Sequence, residues 1–210
     1  MPLAMVLESF GAELAPKDFP SPEISPGELR VRVLAGGVCG SDRHIASGED
    51  PRTPLPVILG HEGVGEVIET SGSLLDVHGA PVRSGDIIIW DRGVTCGRCF
   101  HCTTAGQSFL CENRRVYGIN VGCKEPPHLR GAYAEEIVLF QGTALCVLDK
   151  NIDPAEMVSA SCSGATAAHA VEEAALQPGE TIIVVGPGPL GLWSAALASS
   201  TGARRVVLTG

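Results

Sequence analysis

Four cysteines, Cys96, Cys99, Cys102 and Cys111, follow the pattern C-x2-C-x2-C-x8-C. Four thiolates on one short loop can close a tetrahedral zinc shell with no open position, which makes a structural site. An iron–sulfur cluster is the competing chemistry, because the bacterial ferredoxin run also starts C-x2-C-x2-C. Its fourth cysteine, however, follows after three residues and precedes proline, whereas here the gap runs from Thr103 to Leu110 and Glu112 follows. Disulfides are the other alternative. Eight cysteines in a chain whose MPLAMVLESF start has no basic n-region before a long apolar core point to thiol or metal chemistry instead.

A second constellation lies upstream, in VCGSDRH (38–44) and LGHEG (59–63). Cys39 and His61 are ligand types suited to zinc. Ser41, Asp42 and His44 can move or direct protons, and Glu62 follows the histidine. Taken alone, one Cys and one His are more often buried packing residues than ligands.

The third constellation is GPGPLG. The apolar run Ile182–Val185 leads into Gly186, Gly188 and Gly191, and an uncharged, Ala-rich run follows. Strand, G-x-G-x-x-G and helix in that order form a dinucleotide-binding pattern. Gly186 permits the tight turn, Gly188 lets a pyrophosphate approach the backbone, and Gly191 lets the helix pack on the strand. The helix N-terminus then faces the phosphates.

Two textures of sequence must hold these groups. Residues 1 to about 150 carry short apolar runs between Gly/Pro turns: residues 3–8, 28–35, 57–59, 63–70 and 87–90, and a strand pair within 131–139. That suggests a β-rich domain or barrel, with the Pro-rich stretch 15–27 read as surface turns. From 151 the texture is α/β. Asp153 is a helix N-cap with Pro154 at the first helical position, helix is expected to about Ala175, and strands are expected before Gly186 and at 205–209. The uncharged stretch Thr181–Ala203 is long enough to span a bilayer, but its Gly-Pro-Gly-Pro break reads as strand, turn and helix.

With 44% hydrophobic and 19% charged residues, the 210-residue chain reads as globular. Its net charge of −9 and lack of a basic run exclude nucleic acid as an expected partner. No membrane association is expected, and a cytoplasmic location is. Cys123 and Cys146 read as packing thiols, and His78, His101 and His128 as surface residues.

Together, C39-G-S-D-R-H44, G60-H-E-G63, the four-cysteine lobe, SCSGAT with Cys162, and GPGPLG resemble the zinc-dependent medium-chain alcohol dehydrogenases. The resemblance covers essentially the whole chain. It implies an α/β protein in which a GroES-like β-barrel (1–150, with the zinc lobe at about 92–115) is followed by the start of a Rossmann doubly wound parallel sheet (151–210). Cys39, His61 and Cys162 would be the catalytic zinc ligands, and Cys96, Cys99, Cys102 and Cys111 would hold a structural zinc. The full-length chain would then carry two zinc ions and NAD or NADP.

By the same resemblance, Glu62 would be an exchangeable carboxylate and Asp42 would orient His61. Ser41 would pass the substrate proton toward His44, while Thr166 and Leu190 would contact the nicotinamide. The implied activity is oxidation of an alcohol, expected to be secondary or polyol-like, to a carbonyl or the reverse, in a homodimer or homotetramer. Trp90, Asp91 and Arg92 fall where the family lines its substrate pocket.

The last gap of the lobe is one residue longer than in much of the family. A dinucleotide fold needs roughly six strands, so the sequence is expected to be the N-terminal part of a longer enzyme. Thr209 and Gly210 are not acidic, which leaves NAD and NADP open. Two alternatives remain: a zinc-free enone or quinone reductase of the same superfamily, or a non-catalytic zinc-stabilised piece.

Overall fold

The run Leu29-Arg-Val-Arg-Val33 alternates apolar and charged side chains, the period of a strand with one buried face. In the computed structural model, which describes residues 1–210, this run lies in the strand beside which the first of two units is assembled. The units are Met1–Val158 and Ser159–Gly210.

The first unit begins β1 (Leu3–Leu7), β2 (Ala15–Asp18), β3 (Leu29–Gly37), α1 (Gly40–Ala46), β4 (Val57–Ile58) and β5 (Glu62–Thr70). It continues through β6 (Leu74–Leu75), β7 (Pro81–Val82), β8 (Ile87–Trp90), β9 (Gly93–Val94), α2 (Phe100–Thr103) and β10 (Arg115–Val116). It ends with β11 (Glu136–Leu139), β12 (Leu145–Val147) and α3 (Pro154–Met157).

A five-stranded antiparallel sheet has the order β11-β3-β5-β8-β12, and a three-stranded sheet the order β2-β1-β4. The sheets approach through an isolated bridge, Ala4 to Ala134, and the bond from Met5 N to Tyr133 O at 2.8 Å. Leu29, Val31, Val67, Ile88, Trp90, Tyr117, Ile137 and Leu139 form the larger core. A smaller one, Leu7, Ile45, Val57 and Leu59, supports α1.

Central β5 is paired on both edges and buried from Glu62 to Gly65. Its glycines are spatial necessities. A Cβ at Gly63 would stand 2.2 Å from the Trp90 ring, and one at Gly65 would stand 2.3 Å from Arg32 O.

Four expectations need correction. The Pro-rich stretch is not all turns, since Ala15–Asp18 pairs with β1 in the register Leu3↔Asp18 to Val6↔Ala15. Pro16 is tolerated there because β2 is an edge strand. Residues 131–139 hold one strand rather than a pair, with Gly131 pressed so tightly on Ile58 O that a Cβ would lie at 2.0 Å. The helix expected from Asp153 to Ala175 is three pieces: α3, a 3-10 turn at Val158–Ser161, and a helix from Ser163. His128 is half-buried, its Nδ1 2.9 Å from Cys123 O, and Cys123 itself is buried beside Leu129.

Asp153 does cap α3, accepting from Ala155 N at 2.9 Å with Pro154 in the first turn. The second unit comprises α4 (Ser163–Glu173), β13 (Thr181–Val185), α5 (Pro189–Ser200) and β14 (Arg205–Thr209). β13 and β14 pair in parallel from Thr181↔Arg205 to Val185↔Thr209, so α5 is the crossover of a βαβ unit. The α4 backbone at Gly164 lies against the Trp193 ring on α5, and Trp193 Nε1 donates to Ser159 Oγ at 2.9 Å. The uncharged stretch 181–203 is thus strand, turn and helix, and no helix is long and apolar enough to cross a membrane.

Candidate functional site

The four-cysteine loop is built almost entirely from local turns. Cys99 stands at the N-terminus of α2, and its carbonyl accepts from Cys102 N and Thr103 N. A 3-10 turn, Ser108–Leu110, returns the chain to Cys111. The four sulfurs lie within 4.8 Å of one another, and all four thiols are free. A zinc tetrahedron with Zn–S of about 2.3 Å needs sulfurs about 3.8 Å apart, so the group fits that ion.

Backbone N–H groups do the electrostatic work in this loop. The amides of Arg98 and Cys99 lower the Cys96 thiol to about 6, and the Cys102 amide lowers Cys99. Cys102 is pushed up to about 11 by partial burial and then by its neighbouring thiols. A bound cation relieves that mutual opposition, because metal binding favours every thiolate at once.

The deeper cluster joins two distant segments. Cys39 is the N-cap residue of α1, and His61 and Glu62 lie where the chain enters β5. The ligand atoms of Cys39, His61 and Glu62 lie within 4.8 Å of one another. His61 is 0% exposed and Glu62 4%. A thiol, an imidazole and a carboxylate this close are a zinc-compatible donor set.

Asp42, itself buried, ties the two segments together. Its Oδ2 accepts from Cys39 N at 2.8 Å, and its Oδ1 accepts from Gly60 N at 3.3 Å and lies 3.4 Å from His61 Nδ1. A carboxylate on Nδ1 leaves Nε2 as the natural ligand atom. Burial pushes the Cys39 thiol up, but the Ser41 backbone and hydroxyl and the His61 ring outweigh it, and the thiol titrates below its ordinary value. Ser41 Oγ lies 3.9 Å from Cys39 Sγ. His44 is one helical turn on, exposed, with Nδ1 2.8 Å from Glu49 Oε2. No direct hydrogen bond joins Ser41 to His44.

In the second unit, Cys162 sits between the 3-10 turn and α4, and its carbonyl accepts from Thr166 N at 2.9 Å. Gly186 has φ +106, the left-handed region, and its N–H donates to Thr209 O at 2.7 Å. Gly188 caps α5, and a Cβ at Gly191 would lie 1.8 Å from Gly186 O. Leu190 and Thr166 are exposed. The turn leaves the N-terminus of α5 free of side chains at Gly188, as a phosphate cradle requires.

Residues 25–149 match the family described as the alcohol dehydrogenase GroES-like domain. The chain belongs to the medium-chain alcohol dehydrogenase family. An alcohol dehydrogenase from Thermotoga maritima, solved by crystallography, is 47% identical with a TM-score of 0.94, over 99% of this chain and 57% of that one. An L-threonine 3-dehydrogenase of Streptomyces avermitilis is 36% identical over 98% of this chain and 56% of its own length. A 5-exo-hydroxycamphor dehydrogenase of Pseudomonas putida is 33% identical over 87% of this chain and 50% of its own. The chain thus spans about half the length of the relatives it matches.

Residues around the Cys39–His61–Glu62 cluster emerge that the sequence did not announce. Gly37 faces Glu62, where a Cβ would stand 2.1 Å from Oε2. Gly60 carries the Tyr133 ring, 2.5 Å from where its Cβ would be. The Tyr133 hydroxyl is pushed well above its ordinary value by burial and by the negative charge of Asp42, Glu62 and Cys39, so it stays protonated beside them. A tyrosine in an alternating strand pattern gives no sign of that neighbourhood.

Proposed function

We propose that this chain carries the catalytic domain and the first nucleotide-binding elements of a zinc- and NAD(P)-dependent dehydrogenase that interconverts a small alcohol, secondary or polyol-like, and its carbonyl. The observation that carries this reading is the buried approach of Cys39, His61 and Glu62 within 4.8 Å, with Asp42 set on the imidazole. Cys162 is the proposed third ligand, on the strength of the SCSGAT motif and family membership. Bound there, zinc supplies Lewis acidity toward a substrate oxygen, and NAD(P) supplies the hydride acceptor.

The remaining work falls to the protein. The Cys39 thiolate would offset part of the metal's charge, and His61 would donate a ring nitrogen to it. Asp42 holds the imidazole in one tautomer and orientation. Ser41, beside Cys39, takes the hydroxyl proton of the substrate. His44 is exposed and paired with Glu49, a suitable outlet to solvent. Glu62, given room by the bare backbone at Gly37, is a carboxylate in reserve for the metal. Gly186, Gly188 and Gly191 shape the pyrophosphate cradle, while Thr166 and Leu190 contact the nicotinamide. The four-cysteine lobe holds a second, structural zinc.

The test is NAD(P)-linked oxidation of secondary alcohols and polyols by zinc-loaded full-length protein, wild type beside Cys39→Ala. Turnover in the wild type that disappears in the variant supports the reading. Equal turnover in both overturns it.

A further inference from the structure

The first unit carries a groove of about 390 Å3 whose lining includes Arg52, Arg92, Arg114, Phe109, Glu112 and Ile119. Three guanidinium groups converge on it in a chain of net charge −9. Three carboxylates, Asp50, Asp91 and Glu112, lie near them, but only Asp50 is within hydrogen-bond reach of a guanidinium. Arg52 is held by Asp50, with Nη2 to Oδ2 at 2.6 Å and Nε to Oδ1 at 2.8 Å. Arg114 Nη2 is 3.8 Å from Asp91 Oδ1, beyond hydrogen-bond reach, and its buried Nε has no hydrogen-bond partner. Arg92 makes no ion pair. Arg92 and Arg114 therefore have no carboxylate within hydrogen-bond reach, and Phe109 and Ile119 supply apolar wall.

The groove also adjoins the deeper cluster. Ile119 packs against the apolar cluster of Leu7, Ile45, Val57 and Leu59 that supports α1. The backbone at Gly118 lies so close to Gly60 that a Cβ there would meet Gly60 N at 2.6 Å, and His61 follows Gly60. Tyr117 N donates to Arg92 O at 2.9 Å, which holds the Arg92 backbone to the same segment.

We infer that this groove binds an anionic group of the substrate, a carboxylate or a phosphate, gripped by Arg92 and flanked by Arg52 and Arg114. Guanidinium groups suit both anions because their planar N–H pairs match two oxygens at once. The inference rests on the proposed alcohol–carbonyl reading for the word substrate, but not for the anion binding itself. A competing account is that the arginines merely balance the thiolate charge at Cys111, which also lines the groove.

Titration calorimetry on zinc-loaded full-length protein separates these accounts, with inorganic phosphate in one arm and acetate in the other. We expect millimolar or tighter binding of one of them, weakened about tenfold or more in Arg92→Gln and partly restored in Arg92→Lys. The anion that binds decides between the two sources.

A paired kinetic measurement compares a neutral secondary alcohol with an analogue bearing the preferred anion. The ratio of their kcat/KM values should fall about tenfold in Arg92→Gln. No binding of either anion, equal binding by wild type and variant, or loss of zinc in Arg92→Gln would each overturn the inference. Anion binding without oxidation of any alcohol would instead defeat the dehydrogenase reading and leave the anion site standing.

Discussion

The two thiol-bearing sites of the first unit are built on opposite plans. The lobe at Cys96–Cys111 takes four identical ligands from one short stretch, and backbone amides and tight turns arrange them. The cluster at Cys39, His61 and Glu62 takes mixed ligands from segments that only the fold brings together, and it lies buried against β3 and β5. A second carboxylate, Asp42, orients one ligand and clamps the backbone of another. The comparison teaches that four soft ligands from a local loop suit a closed, stabilising site, whereas a mixed and individually oriented set suits a metal that must exchange a ligand with substrate.

Removing one ligand from each site is the strongest way to break this comparison. Cys39→Ala should reduce turnover by about a thousandfold or more, with a smaller loss of Tm than any lobe variant. Steady-state kinetics beside a thermal melt checks it. Cys96→Ala should do the reverse, costing about 3 kcal/mol or more of stability because a structural metal contributes directly to folding. Denaturant titration of the zinc-loaded protein measures it, and unchanged stability would remove the lobe's structural role.

Smaller changes sharpen the contrast. Asp42→Asn keeps the shape but weakens the hold on His61, and should lower zinc affinity or activity about 10- to 100-fold. Chelator competition reads that loss. Gly63→Ala forces a methyl group into the Trp90 ring and should cost about 1–3 kcal/mol of stability. Cys146→Ala is the control thiol: it lies outside both ligand clusters, and its sulfur donates to Val147 O at 3.5 Å. That variant should retain the wild type's full zinc content and shift stability by about 0.5 kcal/mol or less, as a melt and metal analysis would report.

How legible each part was in the sequence follows from how local it is. The lobe and the glycine turn are written in consecutive residues, so their spacing could be read directly. The strand Leu29–Gly37 was equally open because its alternation is strong. Cys39 and His61 could not be paired by spacing, since their meeting depends on α1, β3 and β5 packing together; only the resemblance suggested it. Tyr133 and Gly37 were invisible for the same reason, as their neighbours come from other segments.

The missed strand at Ala15–Asp18 shows a different limit. Prolines read as turn signals, yet an edge strand tolerates Pro16 because its outer side needs no partner. At Cys162 the Ala-rich texture concealed a break, because residue types alone do not distinguish one long helix from α3, a 3-10 turn and α4.

The central claim is that the first unit supplies ligands to two metal sites with different duties. Zinc counting by mass spectrometry on full-length wild type, Cys39→Ala and Cys96→Ala tests it most directly. Two zinc ions per wild-type chain, falling to one in Cys39→Ala with the fold intact, is the result predicted. One zinc in the wild type, or two retained in Cys39→Ala, would contradict it.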